Sequence, residues 1–340
     1  MRNLSLSIDN CGFLRYTKYE IILIFYKGEI YMNDIKAVIG TNSWGGKVYG
    51  KLLRGSCVED SVIREAMNEA EKLGLKMYDL ARDYGLGKAQ KMIGEFGTDN
   101  ILLSAKFTPT GRYKRNCVRK SLEKDLSDFR RDYVDIYWLH LPVDIEKHLA
   151  EISELYKEGK IRNIGVSNFD LEECRLARKV LEANGIPLYG VQNHYSIIAR
   201  EWEKNGLVDW CRENNISFWA WAVLEEGLLT DPRVKGKKTV IKLIMDRQKK
   251  KMHDLYRVMI AVAKHHNITV PQVAEAFCIN KGIVPICGCR KPKQVRELAE
   301  AADIRLSERE MRFIENAADS SAAKGLGYDM FRAFVPKRVK

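Results

Sequence analysis

In the stretch Tyr78-Asp79-Leu80-Ala81-Arg82-Asp83-Tyr84-Gly85 an apolar run ends in an acid, and five residues later a tyrosine stands before a glycine. A carboxylate at the end of a buried strand must face a partner, since an uncompensated buried charge costs several kcal/mol. Lys106, which closes the next apolar run, is the first candidate for that cation, and His140 closes the run after it. These residue types suit proton chemistry. A phenol titrates near pH ~10 and is a poor donor at neutrality, but a neighbouring ammonium stabilises the phenolate and lowers that value. Asp79 would keep Lys106 charged, and an imidazole at His140 can donate a hydrogen bond that orients and polarises a reacting oxygen. Taken singly, each residue reads more readily as part of a core salt bridge or as an ordinary strand-end polar group than as a catalyst. The four together read as a site.

Positioning four such groups requires an ordered set of strands, and the chain supplies one. From Ile35 onward, short apolar runs alternate with amphipathic helical stretches, the pattern of repeated βα units around a parallel sheet. Strands are expected over 35–40, 76–80, 101–106, 134–139, 161–166, 188–191, 217–221 and 283–286. Helices are expected over 58–74, 87–96, 116–129, 145–157, 170–183, 201–214, 253–265, 271–280, 291–302 and 307–319, with a segment of low periodicity over 225–251. Eight units predict an α/β fold of one domain, a (β/α)8 TIM barrel, whose sites lie at the C-terminal ends of the strands. Asp79, Lys106, His140, Ser167-Asn168, Gln192-Asn193-His194 and Gly288-Cys289-Arg290 all fall at such ends.

The barrel is expected over residues 32–322, with a tail over 323–340. Residues 1–31 show one apolar run and no helical period. Lys27-Gly28-Glu29, read back through common codons, contains a purine-rich segment where a bacterial ribosome-binding site would precede a start at Met32. Two readings of 1–31 stand side by side: an upstream extension not translated in the native protein, and a hairpin closing the bottom of the barrel.

Composition narrows the class. A 46% apolar and 30% charged chain has the balance of a soluble globular protein with a full core. The apolar run over 21–26 is far shorter than the roughly 20 residues a bilayer span needs, and no small-residue cleavage site follows it, so neither a membrane partner nor a signal peptide is expected. Eight cysteines without a spaced framework fit reduced thiols and a cytoplasmic location. Cys287-Gly288-Cys289 lacks the second pair a metal site would need, and no metal is expected. The net charge of +12 is spread over many helices rather than gathered on one face, which speaks against nucleic acid as a partner.

Asp79, Tyr84, Lys106 and His140 in these positions resemble the catalytic tetrad of the aldo-keto reductases, and the resemblance runs through most of the chain. Ile164-Gly165-Val166-Ser167-Asn168-Phe169 looks like the family segment whose Ser and Asn hold the nicotinamide carboxamide. Val191-Gln192-Asn193 is similar to the segment whose Gln does the same. The stretch from Pro285 to Gln294 resembles the loop around the pyrophosphate and adenosine, which implies Gly288, Arg290, Lys291 and Gln294 as cofactor contacts. The segment over 40–46 lacks Gly-x-Gly-x-x-Gly spacing, so a Rossmann domain is not expected.

Some positions depart from the family pattern. Trp221 stands where a tyrosine usually stacks on the nicotinamide, Ala222 replaces a serine, and Cys289 and Leu298 replace the usual Thr and Asn. Arg290 with Lys291 suits a 2′-phosphate, because a guanidinium can bind it bidentately. The resemblance therefore implies an NADPH-dependent (NADP-linked) reductase of aldehydes or ketones, with a small-molecule carbonyl substrate. A regulatory subunit of the same fold with little turnover is the alternative; a metal-dependent barrel hydrolase using Asp79, His140 and His194 is a more distant one.

Overall fold

The computed structural model describes residues 35–44, 58–110, 113–233 and 240–325, without the side chains of Gly85, Leu86 and 240–244. Within these, eight parallel strands close into a barrel in sequence order: β1 (Val38–Gly40), β2 (Met77–Asp79), β3 (Leu102–Phe107), β4 (Ile136–Leu139), β5 (Ile164–Ser167), β6 (Leu188–His194), β7 (Ser217–Trp221) and β8 (Val284–Gly288). Closure is made by β1 on β8, where Gly40 pairs with Gly288. The expected (β/α)8 barrel is the fold found.

Around it, among the described residues, lie twelve α-helices: α1 (Asp60–Lys72), α2 (Lys88–Phe96), α3 (Cys117–Phe129), α4 (Ile145–Lys157), α5 (Leu171–Glu182), α6 (Glu201–Lys204), α7 (Leu207–Glu213), α8 (Val240–Lys251), α9 (His253–His266), α10 (Val270–Asn280), α11 (Pro292–Ala301) and α12 (Glu308–Ser320). Their starts follow local chemistry. Asp170 with Glu173, Thr269 with Gln272 and Ser307 with Glu310 form capping boxes that satisfy otherwise unpaired amides at α5, α10 and α12. Pro271 and Pro292 sit in the first turns of α10 and α11, where a missing N–H costs nothing.

The interior of the barrel is filled by aromatic rings. Trp138 on β4 lies 5.2 Å from Trp219 on β7, centroid to centroid. Those strands are not neighbours in the sheet. Their contact therefore crosses the inside of the barrel. Tyr189 on β6 stands 6.3 Å from each indole. Room for Trp138 comes from two glycines: a Cβ on Gly165 would sit 2.3 Å from the indole, and one on Gly190 would sit 3.2 Å from it.

Three expectations need revision. β6 runs on to His194, so Gln192-Asn193-His194 form the end of the strand rather than the loop after it. The single helix expected over 201–214 is two, broken at Gly206, whose φ of 85° leaves the helical region. The aperiodic segment over 225–251 contains α8, a helix of mostly basic and polar residues that carries little apolar period to read. The ladders of β4 and β5 become regular only at Ile136 and Ile164, although an isolated bridge joins Val134 to Ile161, where the apolar runs begin. Residues 1–34, to which both N-terminal readings belong, lie outside the described residues, as does the tail beyond Gly325.

Candidate active site

The site is built on the C-terminal ends of β2 and β3. Lys106 on β3 is 1% exposed, and its Nζ lies 2.6 Å from Asp79 Oδ2 on β2. The ammonium also donates to the Leu80 carbonyl at 3.2 Å. Burial pulls the Lys106 pKa below its ordinary value, and the charge and hydrogen bond of Asp79 oppose that pull. The other carboxylate oxygen, Asp79 Oδ1, accepts from Ser104 Oγ at 2.9 Å and from Gln192 Nε2 at 3.0 Å. Three groups on two other strands, Lys106 and Ser104 on β3 and Gln192 on β6, thus hold one buried carboxylate.

Behind Ser104 stands the barrel core. The Trp138 indole donates to Ser104 Oγ at 2.7 Å, so packing inside the barrel and charge at its mouth are joined through one hydroxyl. Ser104, Lys106 and Thr108 recur at every second residue, the spacing of one strand face. That alternation is the signal in the sequence for Ser104 and Thr108.

Tyr84 follows β2 in a short 3-10 turn, 84–87. Its ring centroid lies 5.3 Å from Lys106 Nζ. The turn is anchored by Arg82, which donates to Asp125 at 2.9 Å through Nε and to Asp128 at 2.8 Å, both on α3. A phenol carried by a loop is thereby fixed to a helix as well as to its own strand.

His140 follows β4 and is 8% exposed. Burial, with Lys106 nearby, pulls its pKa down to about 3, so the ring is neutral at physiological pH. Its Nδ1 lies 2.8 Å from Thr108 Oγ1, and the same hydroxyl lies 2.7 Å from Asp83 Oδ2.

Ser167, Asn168 and Trp221 gather at the ends of β5 and β7. Asn168, with a φ of 64°, donates from Nδ2 to Ser167 Oγ at 3.1 Å and to the His140 carbonyl at 3.0 Å. Its Oδ1 accepts from the Trp221 indole at 3.1 Å. Trp221 also packs on the His194 ring at 4.8 Å, and His194 Nε2 lies 2.7 Å from the fully buried Glu225. His194 is therefore packed against Trp221 and held by Glu225. Glu225, with a left-handed φ of 47°, had no signal in the sequence to mark it.

Gly288, Arg290, Lys291 and Gln294 form a separate group at the end of β8. The Arg290 amide donates to Gln294 Oε1 at 2.9 Å, and Lys291 is the residue that precedes α11. The amino terminus of that helix, with two cations beside it, is a chemical setting suited to a phosphate. Both groups of residues fit a nicotinamide dinucleotide: amides and an indole at one end, cations and a helix start at the other.

The sequence profile of the aldo/keto reductase family matches residues 36–319. The chain belongs to that family. Its members are oxidoreductases that generally reduce carbonyl groups with NAD(P)H. An aldo-keto reductase of Bacillus subtilis, YhdN, is 31% identical over 209 residues, which cover 56% of this chain and 60% of that enzyme. An Escherichia coli protein named NADH-specific methylglyoxal reductase is 27% identical over 83% of this chain and 94% of its own length. An aldo/keto reductase from Klebsiella pneumoniae, solved with NADP and acetate, shares the fold with a TM-score of 0.66 at 23% identity, over 85% of this chain and 93% of that one. Among the proteins that resemble this aldo/keto reductase, one is thus named for NADH and one structural neighbour was solved with NADP. No helix among its described residues is long and apolar enough to cross a membrane.

Proposed function

We propose that this aldo/keto reductase converts aldehydes or ketones to alcohols, with Tyr84 as the proton donor and NADPH as the preferred cofactor. The observation that carries the reading is the buried Lys106–Asp79 pair beside the Tyr84 ring. An ammonium held in a dry site by a carboxylate favours the phenolate strongly, because the low dielectric magnifies its charge. Such a phenol gives up its proton more readily than one in water.

Ser167, Asn168, Gln192 and Trp221 would hold the nicotinamide end, and Gly288, Arg290, Lys291 and Gln294 the phosphate end. When bound, the nicotinamide supplies the hydride. Asp79 keeps Lys106 charged and in place, and Ser104 and Gln192 keep Asp79 in place. His140 plays a different part from the donor its residue type suggests. A threonine hydroxyl has one proton, and a carboxylate can only accept it. With that proton directed to Asp83, Thr108 Oγ1 would accept from His140, which favours a neutral imidazole with its proton on Nδ1. Its Nε2 then takes a hydrogen bond rather than giving one, and protonation rests on Tyr84.

Tyr84→Phe is the decisive variant, since it keeps the ring and removes the hydroxyl. Carbonyl reduction should fall by about 10²–10⁴, the usual contribution of a positioned acid, while NADPH affinity by fluorescence titration stays within a few-fold. Reduction at the parent rate would transfer the role to another group. For the cofactor, Arg290→Ala with Lys291→Ala should weaken NADPH at least about tenfold and leave NADH nearly unchanged. Equal losses for both would remove the assignment of a 2′-phosphate.

A further inference from the structure

Away from the barrel mouth, three side chains of the metal-ligating kind converge where the end of α9 meets the start of α12. His265 Nδ1 and His266 Nε2 each lie 2.9 Å from the same oxygen, Glu310 Oε1. The three ligand atoms all fall within 4.8 Å of one another. The carboxylate is not free to turn away. Its other oxygen, Oε2, accepts from the Ser307 amide at 2.8 Å and from Ser307 Oγ at 2.7 Å, the capping box that opens α12. Glu310 is thus clamped on one side and presented on the other.

Geometry and donor type select what such a group can bind. Bonds of ~2.1 Å at angles of 90–109° place neighbouring ligand atoms about 3.0–3.4 Å apart. The two 2.9 Å spacings to Glu310 need to open by only a few tenths of an ångström, while the two ring nitrogens, within 4.8 Å of each other, are brought onto one ion by turning His265. His265 is mostly exposed and can adjust, whereas His266 and Glu310 are largely covered and set the position. Two imidazoles and one carboxylate suit borderline divalent cations such as Zn²⁺, Ni²⁺ or Co²⁺; Mg²⁺ and Ca²⁺ prefer all-oxygen shells.

We propose that His265, His266 and Glu310 form a surface site for one late first-row divalent cation, which ties α9 to α12. Water completes the coordination, and binding displaces the hydrogen bonds that the two rings make to Oε1. The site is separate from the residues assigned to carbonyl reduction, so its test does not depend on them.

The full chain, stripped with chelator and dialysed, is titrated with Zn²⁺ by calorimetry and with Co²⁺ by visible absorption. One equivalent should bind with micromolar affinity, and the Tm should rise with metal to a plateau. His265→Ala, His266→Ala and Glu310→Gln should each weaken binding at least about tenfold and remove the Tm rise, as expected when one of three ligands is lost. Glu310→Gln is the sharpest of these, because an amide oxygen can still accept from Ser307 and keep the cap. Binding that persists unchanged in all three variants would place the metal on thiols and overturn the proposal. So would millimolar affinity in the parent.

Discussion

At the scale of single residues, the site turns on where a few protons sit. The Asp83–Thr108–His140 chain favours the His140 proton on Nδ1, and Thr108→Val removes the acceptor that Thr108 would offer it. Nitrogen chemical shifts of the histidines should show the Nδ1–H form at His140 in the parent and a shift toward Nε2–H in Thr108→Val. Because a neutral ring persists either way, the loss of carbonyl reduction should stay within about tenfold, well short of that for Tyr84→Phe. An Nε2–H ring in the parent would restore the donor role. Asp79, Lys106 and His140 were legible as chain positions because each ends an apolar run, and Tyr84 because it stands before a glycine five residues after Asp79. Thr108 and Ser104 were legible only as alternation along one strand. The Glu225 partner of His194 was not legible at all, because 31 residues separate them and only the fold joins them.

At the scale of elements, β5 owes its glycine to a single ring, and Gly190 on β6 is confined by the Ser217 carbonyl as well as by that ring. Gly165→Ala would place a methyl 2.3 Å from Trp138, and the indole cannot simply swing aside. It is wedged against Trp219 and bonded to Ser104. Overpacking of this kind costs typically about 1–3 kcal/mol, to be read from urea unfolding. The same shift should reach the site through Ser104 and Asp79, so activity should fall along with stability. Gly165→Ala/Trp138→Phe should recover part of the stability by trimming the ring. If Gly165→Ala unfolds like the parent, the barrel interior is looser than these distances imply. Helix boundaries, by contrast, were readable to within a residue or two from periodicity and caps, apart from the break at Gly206 and the polar helix α8.

At the scale of the whole molecule, buried ionisable groups make stability depend on pH. Glu275 on α10 is buried, and burial raises its carboxyl from 4.5 to about 8, with the Cys287 hydrogen bond working against that rise and Glu297 adding to it. Between those values the unfolded chain has released the proton and the folded chain still holds it. Stability is therefore lost as pH rises through that window, by up to ~1.4 kcal/mol per pH unit. Glu275→Gln cannot titrate, so it should gain on the parent steadily between pH 5.5 and 8 in urea unfolding. Parallel pH profiles for the two would contradict this. His140 acts in the opposite direction: its ring is kept neutral in the fold down to about 3, so its contribution is complete above 6.5 and is lost as pH falls below that.

The order of strands, the closed barrel and the barrel end at which the candidate polar residues gather were all determined by the sequence alone. Each rests on local patterns: apolar alternation, helical period, caps, and polar residues that close apolar runs. Tertiary structure alone decided how those residues are joined. Gln192, placed by resemblance at the cofactor, bonds Asp79 across 113 residues of chain. Trp138 reaches Ser104 because two glycines on the next strands vacate its space. His265 and His266 meet Glu310 because two helices pack end to start. Local patterns report how each segment faces its immediate surroundings. Which distant groups share those surroundings is fixed only when the strands close and the helices pack around them.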